Sequence, residues 1–185
     1  MLQTLFANLD AMAYRCRDDA QWTMEFVSDG CRKLTGYEPD DLLFNNRISY
    51  ECITHPEDRV RVREAVHRAL EHRSRYEVEY RLQHADGSVR WVVERGIGLF
   101  DHEGRTTALE GIIQDITERK RVEDSSRDAE KRYQALFDNA IEGIFRTSVD
   151  GRYLDANPAL ARMYGFASPH EMISGLSDIR RQLYV

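Results

Sequence analysis

Tyr76-Glu-Val-Glu-Tyr-Arg-Leu82, then Val89-Arg-Trp-Val-Val-Glu-Arg-Gly-Ile-Gly-Leu-Phe100, then Leu109-Glu-Gly-Ile-Ile113 are the stretches on which the fold turns. In the first, Tyr76, Val78, Tyr80 and Leu82 alternate with charged residues, the period of a half-buried strand. Asp86-Gly87 follows as a tight turn, because glycine accepts the positive φ that such a turn demands. The second strand is read through Val89, Trp91 and Val93 to about Phe100, with Gly96 and Gly98 marking a bulge or bend. Glu103-Gly104 turns the chain again into the third strand. The three form an antiparallel meander.

Outward from the meander, Val62, Ala65, Val66, Ala69 and Leu70 recur at helical spacing. They predict an amphipathic helix starting near Pro56, with Glu57 and Asp58 at its positive end. Earlier still, Ala13–Arg17 and Trp22–Val27 read as two short strands, and short helical pieces fill Gly30–Asn45. On the other side, Asp115-Ile-Thr-Glu118 has the form of a capping box opening a helix. Residues Asp115–Arg132 then carry six acidic and six basic side chains, and an apolar stripe begins only at Ala129, Tyr133, Leu136 and Phe137. A solvated helix that turns amphipathic at its end is a connector.

What it connects is visible as an internal repeat. Leu5-Phe6-Ala-Asn8 with Tyr14-Arg15 aligns with Leu136-Phe137-Asp-Asn139 and Phe145-Arg146. Ser28 and Gly36-Tyr37 align with Asn157 and Gly165-Phe166. The second copy reaches Val185 before any counterpart of the long helix and the meander. The expected organisation is one whole domain over 1–116, a helical connector over 117–132, and the front part of a second domain over 133–185.

Lys+Arg total 26 and Asp+Glu 32, a net charge of −6 spread along the chain. That mixture excludes a nucleic-acid groove or a polybasic membrane patch, which need clustered positive charge. No stretch is apolar enough to span a membrane, and the N-terminus lacks a secretory pattern. Cys16, Cys31 and Cys52, odd in number and irregular in spacing, read as reduced thiols of a cytoplasmic protein.

Several motifs, in this order, resemble the PAS family. They are Phe26-Val-Ser-Asp-Gly-Cys-Arg-Lys-Leu-Thr-Gly-Tyr-Glu-Pro-Asp-Asp-Leu-Leu43, His55-Pro-Glu-Asp-Arg59, Tyr80-Arg-Leu-Gln-His-Ala-Asp-Gly-Ser-Val-Arg-Trp91 and Gly111-Ile-Ile-Gln-Asp-Ile-Thr-Glu-Arg-Lys120. The last two are similar to the C-terminal PAC portion. In the second copy, Asp150-Gly-Arg-Tyr-Leu-Asp-Ala-Asn-Pro-Ala-Leu160 and Tyr164-Gly-Phe166 resemble the front half of the same family. The resemblance implies an α+β fold: a five-stranded antiparallel sheet with helices on one face, followed by the connector helix and a partial second unit. It also implies a sensory input module that binds a small ligand or relays a conformational change to a downstream effector. The alternative is a ligand-free interaction module that dimerises. The effectors usual in bacteria are two-component histidine kinases and cyclic-di-GMP enzymes. Asp115 and Thr117 match the family's signal-transmission step.

The family's cofactors are tested on residues. A photoactive flavin needs a cysteine in a turn whose counterpart here is Leu43-Phe-Asn-Asn-Arg47, where Arg47 occupies the cysteine's place. Flavin photochemistry is therefore not expected. For haem, His72 on the long helix is the better candidate and His67 the worse, and neither is expected to bind iron. No metal-ligand spacing, phosphate loop or activated nucleophile is present, so the segment is not expected to be an enzyme. Met24, Phe26, Tyr76, Tyr80 and Trp91 are candidates to line a pocket between sheet and long helix. A homodimer paired through helical segments is the expected assembly.

Overall fold

The structure, a computed structural model, describes residues 11–176, so the repeat match at Leu5–Asn8 lies outside the described residues. The chain divides into two compact units at Arg121/Val122.

The first unit contains β1 (Ala11–Cys16), β2 (Met24–Val27), α1 (Cys31–Thr35), α2 (Pro39–Leu42), α3 (Tyr50–Ile53), α4 (Arg59–Glu71), β3 (Tyr76–Gln83), β4 (Val89–Phe100) and β5 (Thr106–Asp115). The strands form one antiparallel sheet in the order β2-β1-β5-β4-β3. The expected meander and helix-bearing sheet are present. Gly87 and Gly104 have φ of 85° and 82°, the left-handed conformation their turns require.

On α4, Val62, Val66, Ala69 and Leu70 are buried against the sheet, as the helical spacing predicts. The helix begins at Arg59, just past the expected start near Pro56, and the Asp58 side chain at its N-cap is held by Arg81 instead of capping the helix. Asp58 accepts from the Arg81 backbone N–H and from its guanidinium, each at 2.9 Å. Those bonds, ahead of the cost of burial, hold the Asp58 pKa down at about 2.

The register of β4 corrects two sequence expectations. Pairing of Tyr80 with Val92 and of Val78 with Glu94 turns Val92 and Glu94 to the core and leaves Trp91 on the opposite face. Gly96 and Gly98 sit in unbroken register, and the irregularity falls at Leu99/Phe100 instead. These glycines make room. A Cβ on Gly96 would lie 2.4 Å from the Tyr76 hydroxyl, and one on Gly98 would lie 2.3 Å from Leu70 Cδ2.

The second unit holds β6 (Phe145–Thr147), β7 (Tyr153–Ala156), α6 (Pro158–Met163) and α7 (Pro169–Gly175), the same element order as the front of the first unit. The repeat extends to hydrogen bonds. Ser28 donates its backbone N–H to the Ala13 carbonyl and accepts the Ala13 N–H on its hydroxyl, both at 2.9 Å. Asn157 does the same with Ile144, again at 2.9 Å for both. Being larger, Asn157 also caps α6 through the Leu160 N–H and donates to the carbonyls of Phe137 and Glu142. A single helix, α5 (Thr117–Asn139), runs through the expected connector, its first turn in the first unit and the remainder in the second.

Candidate functional site

Inside the first unit, the inward faces of β1, β3 and β4 converge on Glu94, which is buried with a relative exposure of 7%. Two chains of phenols end on its two oxygens. Tyr14 donates to Glu94 Oε1 and lies 2.6 Å from the Tyr76 hydroxyl. Tyr80 donates to Oε2 at 2.6 Å and lies 2.8 Å from the Tyr50 hydroxyl. Burial raises the carboxyl's pKa, opposed by the bonds from Tyr14, Tyr80 and Tyr76. Burial, and next the Glu94 charge, push the phenols of Tyr14, Tyr50 and Tyr80 well above the ordinary tyrosine value, so they stay protonated donors.

Beside this cluster lies a cavity of about 20 Å³, room for one water. Trp22, Met24, Val62 and Val66 bound its apolar side, and Tyr14, Tyr50 and Glu94 its polar side. Of the five candidate pocket residues, Met24 lines this cavity, and Tyr76 and Tyr80 enter the hydrogen-bonded cluster. The other two are elsewhere. Phe26 is 52% exposed on edge strand β2. Trp91 sits on the far face of the sheet, with Lys120 Nζ 5.4 Å and the Arg81 guanidinium 5.7 Å from its ring centre. The sequence reading missed Glu94, Tyr14 and Tyr50.

The second focus is the start of α5. The Thr117 hydroxyl accepts the Trp91 backbone N–H at 2.9 Å, and the Ile116 N–H donates to the Trp91 carbonyl at 2.8 Å. Asp115 accepts the Thr117 N–H at 2.7 Å, and its other oxygen is 3.6 Å from Arg90. Thus Asp115 and Thr117 are brought together where strand becomes helix. Glu118 does not supply the expected return bond of a capping box; it faces solvent beside Arg121 at 3.7 Å. A clasp from β3 was not foreseen: Glu79 binds Arg119 at 2.5 Å and Lys120 at 2.7 Å. Lys120 first and Arg119 second hold the Glu79 carboxyl below its ordinary pKa.

Arg47 and His72 lie outside the core. Arg47 is an exposed side chain 3.5 Å from Asp41. His72 closes the C-terminal end of α4, exposed, with Nδ1 2.7 Å from the Arg68 carbonyl oxygen. Among the described residues no group of three or more His, Cys, Asp or Glu is placed to hold a metal. No described helix is long and apolar enough to cross a membrane.

The geometry matches known proteins. Residues 24–113 match the family described as PAS fold, and residues 131–184 match the family described as PAS domain. The crystal structure of a sensory box histidine kinase/response regulator from Burkholderia thailandensis superposes with a TM-score of 0.61 at 32% identity, over 73% of this chain and 98% of that one. The methyl sulfide methyltransferase-associated sensor of Methanosarcina acetivorans is 38% identical over 109 residues, 58% of this chain. The blue-light-activated histidine kinase of Brucella abortus is 30% identical over 149 residues, 77% of this chain. The chain spans 11% and 28% of the length of those two curated relatives. The chain belongs to the PAS family, and its type is the sensory, signal-transducing input module.

Proposed function

We propose that the first unit senses by changing the packing around its buried tyrosines and passes that change into α5, with no catalytic step and no flavin or haem of its own. The observation that carries this reading is the pair of bonds from the Trp91 backbone to Thr117 and Ile116. They tie the central strand of the meander to the first turn of the helix, so a shift of β4 is felt there. The interior supports a cofactor-free mode, since phenol side chains fill the space between sheet and α4 and leave room for one water. The longer relatives suggest the receiver, a kinase or similar effector joined to this input segment.

Two copies would pair through α5, where Val122, Tyr133 and Leu136 stand 60%, 49% and 74% exposed. The mode of action is tested by native mass spectrometry and absorbance of the purified chain. Apo mass and a spectrum without visible bands are expected. A stoichiometric chromophore, or a Soret band lost in His72→Ala, would contradict it. Pairing is tested by light scattering at tens of micromolar, where a dimer mass is expected and a monomer mass counts against it.

A further inference from the structure

We propose that Glu94 is a proton-binding site whose occupancy sets the direction of the surrounding hydrogen bonds and, through β3 and β4, the grip on the first turn of α5. The inference rests on the relay reading above and adds the stimulus, a proton.

The geometry supports two arrangements of the same atoms. With Glu94 ionised, both oxygens accept: Tyr76 donates to Tyr14 and Tyr14 to Oε1, while Tyr50 donates to Tyr80 and Tyr80 to Oε2. With Glu94 protonated, one oxygen must donate, so one arm reverses and its outer phenol becomes the acceptor. Either hydroxyl of each tyrosine pair can serve as donor, so the reversal needs only rotation of O–H bonds. Each tyrosine keeps its own proton throughout. The one proton gained or lost is that of the Glu94 carboxyl, exchanged with solvent water.

The surroundings make the two states unequal. The titratable groups facing Glu94 are Tyr14 and Cys16 from β1, Tyr76 and Tyr80 from β3, and Tyr50 from α3; α4 offers only Val62 and Val66. Among the described residues no cation faces the carboxylate, so its charge is met there by phenol donors and burial favours the protonated form. The adjoining cavity gives the ionised form a place for a solvating water.

The read-out is one residue away on both strands. Tyr80, which binds Glu94, follows Glu79, which holds Arg119 and Lys120. Glu79 in turn pairs across the sheet with Val93, the neighbour of Glu94. Side chains alternate in a strand, so the same two-residue step carries the buried carboxyl on one face and the helix clasp on the other. Three residues before Glu94, Trp91 holds Thr117.

The test is hydrogen exchange at the Lys120 amide, which donates to the Ile116 carbonyl at 3.0 Å, in the whole chain across pH. Infrared absorption of the protonated carboxyl is read in parallel. In the native sequence, exchange corrected for its intrinsic pH dependence is expected to rise several-fold as pH passes above the ordinary glutamate range. The carboxyl band should fade with the same midpoint. Glu94→Gln keeps the shape of the side chain and should abolish both changes. Tyr80→Phe removes a donor to the ionised form and should move the midpoint to higher pH. The proposal is overturned if the band is absent throughout, or if Glu94→Gln retains the native pH profile. Thr117→Val, measured alongside, separates the two levels. If it loosens Lys120 while pH does not, the relay stands and the proton site falls; if neither loosens Lys120, both fall.

Discussion

Glu79 and Glu94 sit at one step of the β3–β4 pair and have opposite fates. Glu79 faces outward against two cations, and its carboxyl is held below the ordinary pKa. Glu94 faces inward among phenols, with no cation among the described residues beside it, and its carboxyl is held above it. The sheet thus carries an ion-paired, salt-sensitive carboxylate on its helix-binding face and a desolvated carboxyl in its core. Environment decides, since the two side chains are chemically the same.

The largest expected effect comes from breaking the inner face. Tyr80→Ala removes a fully buried ring together with the donor to Glu94 Oε2 and the partner of the Tyr50 hydroxyl. It should cost about 3–5 kcal/mol, the range for truncating large buried aromatics. Chemical unfolding followed by tryptophan fluorescence measures it cleanly, because Trp22 and Trp91 are the chain's two tryptophans and both lie in the first unit. Gly96→Ala should cost about 1–3 kcal/mol, because its Cβ collides with the Tyr76 and Tyr14 hydroxyls.

Next in size is the loss at the junction. Thr117→Val forfeits the bond to Trp91 and should destabilise by about 1 kcal/mol while speeding exchange at the start of α5. The smallest effect is on the outer face: Glu79→Gln should cost under about 1 kcal/mol, and less in high salt, because the clasp is partly exposed.

The pH dependence of stability separates the two faces by sign. Glu79, with a depressed folded pKa, contributes stability that is present above the unfolded value and lost as pH falls through the folded one. Glu94, with a raised folded pKa, contributes stability that is full below the unfolded value and lost as pH rises through the folded one. Unfolding curves of Glu94→Gln should therefore lose the decline at higher pH and keep the acid-side loss. An unchanged decline on the high-pH side would show that it does not come from Glu94 and would count against a raised pKa there.

Much of the fold was legible because β3 alternates without ambiguity and α4 has a continuous apolar stripe. The site was less so, for reasons that particular residues make plain. Trp91-Val92-Val93 is apolar at both parities, so alternation alone does not choose the inward face; pairing with Tyr80 does. Once Val92 is placed inward, Glu94 must follow it, a charged residue where the pattern predicts none. Tyr50 lies in a four-residue helix, too short to show a period. Gly96 signals a close approach as well as it signals a bulge, and only the position of Tyr76 distinguishes them. The strand-to-helix step at Asp115 and Thr117 was legible because its hydrogen bonds are local, between adjacent residues and the strand beside them.

The central claim is that the two faces of this step act on one another. A double-mutant cycle of Glu94→Gln and Glu79→Gln, measured by unfolding of the first unit at neutral pH, tests it most directly. A coupling of at least about 0.5 kcal/mol is predicted, whereas effects that add to within about 0.3 kcal/mol would contradict it.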